Sequence, residues 1–345
     1  MMVVIGKRLR RLKVVKTRRL GKSGFQVSEI GLGCWQLGGD FGPLNEQQAE
    51  KILDQASEQG INFWDTADVY GDGRSELLIA AWRKQHLSQQ EQQDLKVATK
   101  VGRSGRLFPD KFTKQQVKSD IQASAARLGV ECIDLIQLHC IPPQILLDGE
   151  IFTWLQDLQQ EGLIAHYGAS VETIEEGLSC LQDSQLTSLQ VIFNVFRQDA
   201  MQVLLPKAAA NDVGIIVRLP LASGLLSGKF KANQQFAESD HRNYNRDGQA
   251  FSVGETFSGL PLNKGIELVD GLRQWLPAGS ELAAFALRWV LDHPQVSSVI
   301  AGASKPQHVI ANSAASALPS LSADTHQQLH EFYQQQVKQH IRGQI

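Results

Sequence analysis

The sequence is short of the features that mark secreted, membrane-spanning or nucleic-acid-binding chains. Only four of its 345 residues are cysteine: Cys34, Cys132, Cys140 and Cys180. They form no Cys-x-x-Cys pair and no regular spacing, which argues against a disulfide framework or a zinc site. Free thiols point instead to a reducing compartment, here the cytoplasm. No apolar run reaches the roughly 20 residues of a membrane-spanning helix. An excess of either charge is missing too: 34 Lys and Arg face 36 Asp and Glu, a net charge of −2. Nothing global therefore draws the chain to nucleic acid or an anionic membrane. There is no low-complexity linker and no repeat beyond a strand–helix unit, so one domain is expected. A Gly-x-Gly-x-x-Gly fingerprint is also absent: Gly31-Leu32-Gly33 runs on into Cys34, Trp35 and Gln36. That counts against a doubly wound dinucleotide domain, the runner-up fold.

Acids are missing from the first twenty residues, which carry Lys7, Arg8, Arg10, Arg11, Lys13, Lys16, Arg18 and Arg19. The arm lacks the apolar core of a secretory signal. A transit peptide, a nucleic-acid arm and a solvated extension ahead of the domain are the three readings. The extension, over residues 1–17, is preferred, with the domain over 18–345.

From residue 18 the pattern is regular. Residues 18–27 place apolar positions around Gly21-Lys22-Ser23-Gly24 and predict a β-hairpin. Strands are then predicted at 30–33, 61–64, 95–100, 133–138, 164–169, 189–193, 213–219 and 297–300. Between them fall helices at 46–58, 75–85, 113–128, 151–160, 172–181, 203–210, 262–275 and 281–291. Another opens at Pro306, a tolerated first-turn proline, and a last one covers 323–340. Eight strands alternating with helices predict an α/β fold, a (β/α)8 TIM barrel with an N-terminal hairpin and a C-terminal helix. With 42% hydrophobic residues the chain can fill such a core. The polar stretch 230–260 is longer than loops in compact domains usually are, which suggests a functional flap.

Chemistry gathers at the strand ends. Asp65 follows the second strand and Tyr70 lies in the loop after it; Lys100 ends the third and His139 follows the fourth. Each alone has an ordinary structural explanation, but a barrel brings all four to one rim, where catalytic residues sit. A phenol with a pKa of about 10 is a weak acid near neutrality. An adjacent ammonium favours the phenolate and lowers that value. Asp65 can fix and counterbalance Lys100, and a neutral His139 can orient a carbonyl or share in proton transfer. The set would protonate an oxyanion forming at a carbonyl carbon, which is half of a carbonyl reduction. A metal-dependent hydrolase built on Asp65 and His139 would need further ligands, and Lys100 would oppose a cation; no metal is expected.

The residues Asp65…Tyr70-Gly71, Ala98-Thr99-Lys100 and Gln137-Leu138-His139 resemble the Asp/Tyr/Lys/His tetrad of the aldo-keto reductases. The resemblance extends to Gly31–Trp35, Tyr70–Glu76 and Arg127-Leu128-Gly129, and late in the chain to Pro220–Lys229 and Gly302–Pro306. It implies a barrel that binds NADP(H), with NAD(H) left open, and reduces an aldehyde or ketone or oxidises the alcohol. It further implies Tyr70 as proton donor, Asp65 and Lys100 as its tuning pair and His139 as the carbonyl-orienting group. Gly33, Cys34, Trp35 and Asp65 would contact the cofactor, and Ser170 and Gln190 would hold the nicotinamide carboxamide. Pro220, Leu221, Ser223, Gly224 and Lys229 would follow the pyrophosphate. Gly302, Ser304, Lys305, His308 and Asn312 would meet the adenosine end.

Departures from the family pattern are local. Val171 stands where Asn is common, and Arg218 stands where many members place an aromatic ring. Arg218 has three readings: a phosphate contact, a substrate-anion contact and a rim salt bridge. His308 takes the place of a frequent Arg, with Lys305 as a substitute charge. Cys34 and Cys140 flank the site either as buried fillers or as redox thiols. The implied activity is an NADP-dependent oxidoreductase on CH–OH donors; the alternative is a cofactor-binding regulatory or redox-sensing module with slow or no turnover. A small carbonyl or alcohol is the expected partner, with neither nucleic acid nor membrane.

Overall fold

The computed structural model describes residues 15–344. Among them lie ten strands: β1 Thr17–Arg19, β2 Gln26–Ser28, β3 Ile30–Gly33, β4 Phe63–Asp65, β5 Lys96–Val101, β6 Ile133–His139, β7 Ile164–Ser170, β8 Ser188–Ile192, β9 Gly214–Arg218 and β10 Val296–Gly302. β1 and β2 pair antiparallel, and the other eight close a barrel in the order β10-β3-β4-β5-β6-β7-β8-β9. Every barrel pairing is parallel. The expected (β/α)8 barrel with its N-terminal hairpin is thus the fold.

The hairpin plugs one end of the barrel. Leu20 and Val27 join Phe63, Ala98, Leu135, Ile216 and Ile300 in a buried cluster inside it. Burying an aliphatic or aromatic side chain of this size contributes about 1.5–3 kcal/mol. Gly21 makes the fit possible: its φ is +46°, and a Cβ there would lie 2.3 Å from the Gly214 nitrogen. Asn62 tethers the plug, accepting from Ser28 N at 2.6 Å and donating to the Gln26 carbonyl at 2.9 Å. This is why β4 begins at Phe63 rather than at Ile61, where the apolar run starts. Arg18 reaches Glu29 at 2.7 Å and the carbonyls of Leu291, Val296 and His293. Val15 is already buried, so the packed domain reaches ahead of residue 18. Lys7 to Lys13 lie outside the described residues.

Helices sit between barrel and solvent where their caps allow. Asn45 and Ser88 form capping boxes for Glu46–Glu58 and Gln89–Asp94, the second a helix that the apolar pattern does not reveal. The helix expected from 172 starts only at Ile174, because Thr173 is its cap, with Glu176 closing the box. At the C-terminus the α-helix Ala323–Phe332 passes into a π turn, Tyr333–Val337, and a 3-10 turn, Lys338–His340, rather than continuing to 340. Across this stretch Tyr333 and Lys338 both reach Asp199. The 230–260 stretch is built of short turns: His241–Tyr244, Val253–Glu255 and Phe257–Gly259. Much of it is buried, including Asp240, His241, Glu255 and Phe257. Among the described residues no helix is long and apolar enough to cross a membrane.

Candidate active site

Barrel register carries the polar residues to one rim. Gly302 pairs with Gly33, Gly33 with Asp65, and Lys100 with Gln137. His139 pairs with Ser170, Ser170 with Gln190, and Ile192 with Arg218. Most of these stand in the last two residues of their strands, with Gln137 and Gln190 two residues in from the ends of β6 and β8. The Tyr70 loop is pressed against the turn after β3 by two glycines in backbone contact. A Cβ on Gly71 would meet the Gly38 oxygen at 2.5 Å, and one on Gly38 would meet the Gly71 nitrogen at 2.7 Å.

Lys100 is the hub of the rim. Its Nζ donates to Asp65 Oδ1 at 2.5 Å, to the Thr66 carbonyl at 2.7 Å and to Tyr70 Oη at 3.2 Å. An ammonium has three N–H donors, so every proton is used. The other Asp65 oxygen accepts from Gln190 Nε2 at 2.7 Å and Gln137 Nε2 at 2.9 Å. Burial alone would lower the Lys100 pKa, but Asp65, and after it Tyr70, raise it, so the group holds its charge. Burial likewise dominates at Tyr70 and lifts its pKa to about 12, against the lowering pull of Lys100. The expectation that the ammonium would lower the phenol below its usual value therefore fails, because desolvation of the phenolate outweighs the attraction. His139 is held well below the usual imidazole range by burial, with Arg103, Lys100 and Arg218 adding to it. Its Nδ1 is buried without a hydrogen-bond partner among the described residues.

Two cavities meet at this rim. One is a groove of about 380 Å³; the other holds about 700 Å³. Trp35, Tyr70, Arg103 and His139 line both. Trp35 lies nearly parallel to Tyr70, with ring centroids 5.8 Å apart at 18°. Its Nε1 donates to Asp40 at 3.0 Å.

The groove passes Gly33, Cys34, Asp65, Gln190, Arg218, Pro220, Leu221, Ser223, Gly224, Lys229, Gly302, Ser304, His308 and Asn312. Three of the expected residues do not line it. Lys100 lies beneath Tyr70, fully buried. Ser170 is buried too, donating to Gln190 Oε1 at 3.4 Å. Lys305 is exposed at the cap of the helix Pro306–Ala314. Arg218 is not on the rim surface: it is buried, donates to the Val171 carbonyl at 3.2 Å and faces Glu255 at 3.6 Å. Of its three readings, the described residues give a salt bridge, buried rather than exposed.

The sequence reading missed the residues that the 230–260 stretch and the loop after β5 bring in. Arg103 bridges Glu255, at 2.7 Å, and Glu172, at 3.1 Å. Arg242 lines the groove, paired with Asp240 at 2.6 Å and stacked against Phe236, 4.5 Å from its centroid. Gln137, quoted above only within Gln137-Leu138-His139, donates to Asp65 at 2.9 Å. Nothing in apolar periodicity marks such loop residues; the one hint was the excess length of the stretch.

Cys140, Glu172 and Glu255 place ligand-type atoms within 4.8 Å of one another. Arg103 and Arg218 already occupy the Glu255 carboxylate, so the cluster is an ion-pair network. Burial raises the Cys140 thiol to about 11 and the Cys34 thiol further still. Both are then thiols rather than thiolates at neutral pH, which favours the filler reading over the redox one.

Residues 29–334 match the model of the Aldo/keto reductase family. The chain belongs to that family. It is 30% identical over 302 residues to "Probable aldo-keto reductase 1" of Glycine max, covering 85% of this chain and 82% of that one. The aldo-keto reductase AKR11C1 of Bacillus halodurans, in its holo form, superposes with a TM-score of 0.73 at 28% identity, covering 92% and 96% of the two chains. The glycerol dehydrogenase AKR11B4 of Gluconobacter oxydans gives 0.74 at 25% identity over 97% and 98%. Membership in the aldo/keto reductase family makes the chain an oxidoreductase of carbonyl and alcohol substrates, on a barrel that binds a nicotinamide cofactor. The groove suits such a group. Gly302 makes room for the Gln36 side chain on the groove wall, where a Cβ would strike it at 2.0 Å, and Lys229, Arg242 and His308 supply cationic or donor groups for phosphates.

The depressed His139 pKa has a direct readout. Lowering pH from 8 to 6 would protonate an ordinary imidazole, but His139 should stay neutral throughout. Its ring nitrogens, followed by long-range proton–nitrogen NMR, should keep neutral-tautomer shifts across that range; a titration centred near 6.5 would contradict the electrostatic description.

Proposed function

We propose that the chain is an NADPH-dependent carbonyl reductase in which Tyr70 gives the proton to the carbonyl oxygen. The observation that carries this reading is the 3.2 Å contact between Lys100 Nζ and Tyr70 Oη, made by an ammonium that Asp65 holds in place. A nicotinamide cofactor, when bound, supplies the hydride that the carbonyl carbon accepts. The chain's own residues manage the oxygen. A phenol with its pKa pushed up keeps its proton at neutral pH and releases it only to a stronger base, the alkoxide-like oxygen forming as the carbonyl is reduced. The phenolate left behind lies beside the Lys100 ammonium, which stabilises it, and solvent returns the proton. Neutral His139 retains one N–H with which to orient the carbonyl oxygen. Gln190, held by Asp65, lies on the groove wall and would be the group that meets the nicotinamide carboxamide, with Ser170 buried behind it as its hydrogen-bond donor. In the reverse direction Tyr70 takes the alcohol proton.

Preference for the 2′-phosphorylated cofactor rests on the far end of the groove. Ser304 donates to His308 Nδ1 through its N–H at 3.4 Å. Burial lowers the His308 pKa, and Lys229 and Lys305 lower it further, so two ammonium groups act on this corner. A dianionic phosphate would gain from all three.

Tyr70→Phe should bind NADPH near normally but reduce 4-nitrobenzaldehyde at least about 100-fold more slowly, the scale of general acid catalysis. Turnover close to that of the native protein would remove Tyr70 from this role. The double variant Lys305→Ala/His308→Ala, titrated by cofactor fluorescence, should lose much more affinity for NADPH than for NADH. Equal losses would overturn the phosphate assignment.

A further inference from the structure

The second cavity bears on which carbonyl compounds the site accepts. It is of small-molecule size, about 700 Å³, and its inner end is formed by Tyr70, His139 and Trp35. Much of the remaining wall is apolar or aromatic: Phe108, Ile141, Tyr244 and Phe251 contribute. The near-parallel Trp35 and Tyr70 rings give it flat surfaces. The charge balance of the wall is uneven. Asp40, Glu172 and Glu176 line it, against Arg103 as the one permanent cation among the described lining residues.

Nor is that cation available. Arg103 is held by Glu255 through two contacts, 2.7 and 3.3 Å, and by Glu172 at 3.1 Å, with its guanidinium 5.2 Å from the Phe251 ring centroid. Withdrawing it toward a substrate anion would strip the buried Glu255 carboxylate of its strongest partner. Arg218, the other guanidinium nearby, lines the groove and not this cavity, and its terminal nitrogens face Glu255, the Val171 carbonyl and Cys140, its Nε being without a partner among the described residues. These carboxylates crowd one another: the Glu172 carboxyl is pushed up to about 7, by burial and then by Glu255, with Arg218 and Arg103 pulling it back. Asp40 accepts from Trp35 Nε1 and from the Tyr244 hydroxyl, both at 3.0 Å, which fixes two of the aromatic walls and leaves its charge facing the cavity region.

We infer that the substrate cavity selects flat, uncharged carbonyl compounds and discriminates against those carrying a carboxylate or phosphate. The inference deepens the reductase reading and rests on it for the identity of the substrate cavity. The discrimination works by repulsion: an incoming anion meets the wall carboxylates Asp40 and Glu176, while the one guanidinium on the wall is already shared between Glu172 and Glu255.

A pair tests this: methyl 4-formylbenzoate and 4-formylbenzoate share ring and aldehyde and differ in carrying an ester or a carboxylate, the ester's greater intrinsic reactivity being the same for native and variant protein. With NADPH at pH 8, kcat/KM should favour the ester by about 10-fold or more. Glu172→Gln should narrow the ratio severalfold; should that variant fail to fold, Asp40→Asn should narrow it instead. An equal or inverted ratio in the native protein would overturn the inference, as would a ratio unmoved by a folded variant. Calorimetric binding of the same pair to the NADPH-loaded protein separates the two claims. Tighter binding of the ester without turnover would sustain the charge selection and refute the hydride-transfer reading. Equal binding accompanied by equal turnover would do the reverse.

Discussion

The site depends on one buried ammonium. Lys100 Nζ lies out of solvent with all three protons donated, to Asp65, Thr66 and Tyr70. A charge so placed is tolerable only if it is paired and fully hydrogen-bonded; removing the partner of a buried pair costs about 3–5 kcal/mol. Asp65 meets that demand, and its second oxygen needs Gln137 and Gln190 in turn. Strands β4, β5, β6 and β8 are therefore locked into mutual register by the same requirement that holds Tyr70 in place. Charge stabilisation and positioning of the phenol are one constraint.

From that hub the rim divides by charge. The far end of the groove gathers Lys229 and His308, suited to phosphates, whereas the second cavity gathers carboxylates whose arginine is already engaged. The 230–260 stretch contributes to both sides, through Arg242 to the groove and through Phe251 and Ser252 to the cavity. Its length reflects this double duty: Asp240, Glu255 and Asn245 are buried because they anchor it. The cluster of Arg103, Arg218, Glu172 and Glu255 is the partition between the two regions.

Much of this was legible from the sequence. Asp65, Lys100 and His139 announce themselves because each ends or directly follows an apolar run, where a polar residue is conspicuous. The barrel then dictates that they converge with Tyr70. What escaped was set by contacts between distant segments. Arg103 and Glu255 are 152 positions apart and sit in loops with no periodic signature. Gln137 looks like an ordinary strand amide until Asp65 is placed beside it. The upward shift of Tyr70 is not legible, because a neighbouring ammonium is visible in the sequence while the depth of burial that opposes it is not. The hairpin's first residues were assigned to the extension because Thr17 and Val15 follow a basic run, although Val15 packs in the core.

Replacing Lys100 with Met tests the central dependence most directly, since it removes the charge while keeping much of the apolar stem. The account predicts a folded barrel with NADPH affinity within a few-fold of the native value. It also predicts that single-turnover reduction of a reactive aldehyde slows by about 100-fold or more, because the Tyr70 phenolate loses its counter-charge. A folded Lys100→Met protein that reduces the aldehyde at the native rate would contradict it.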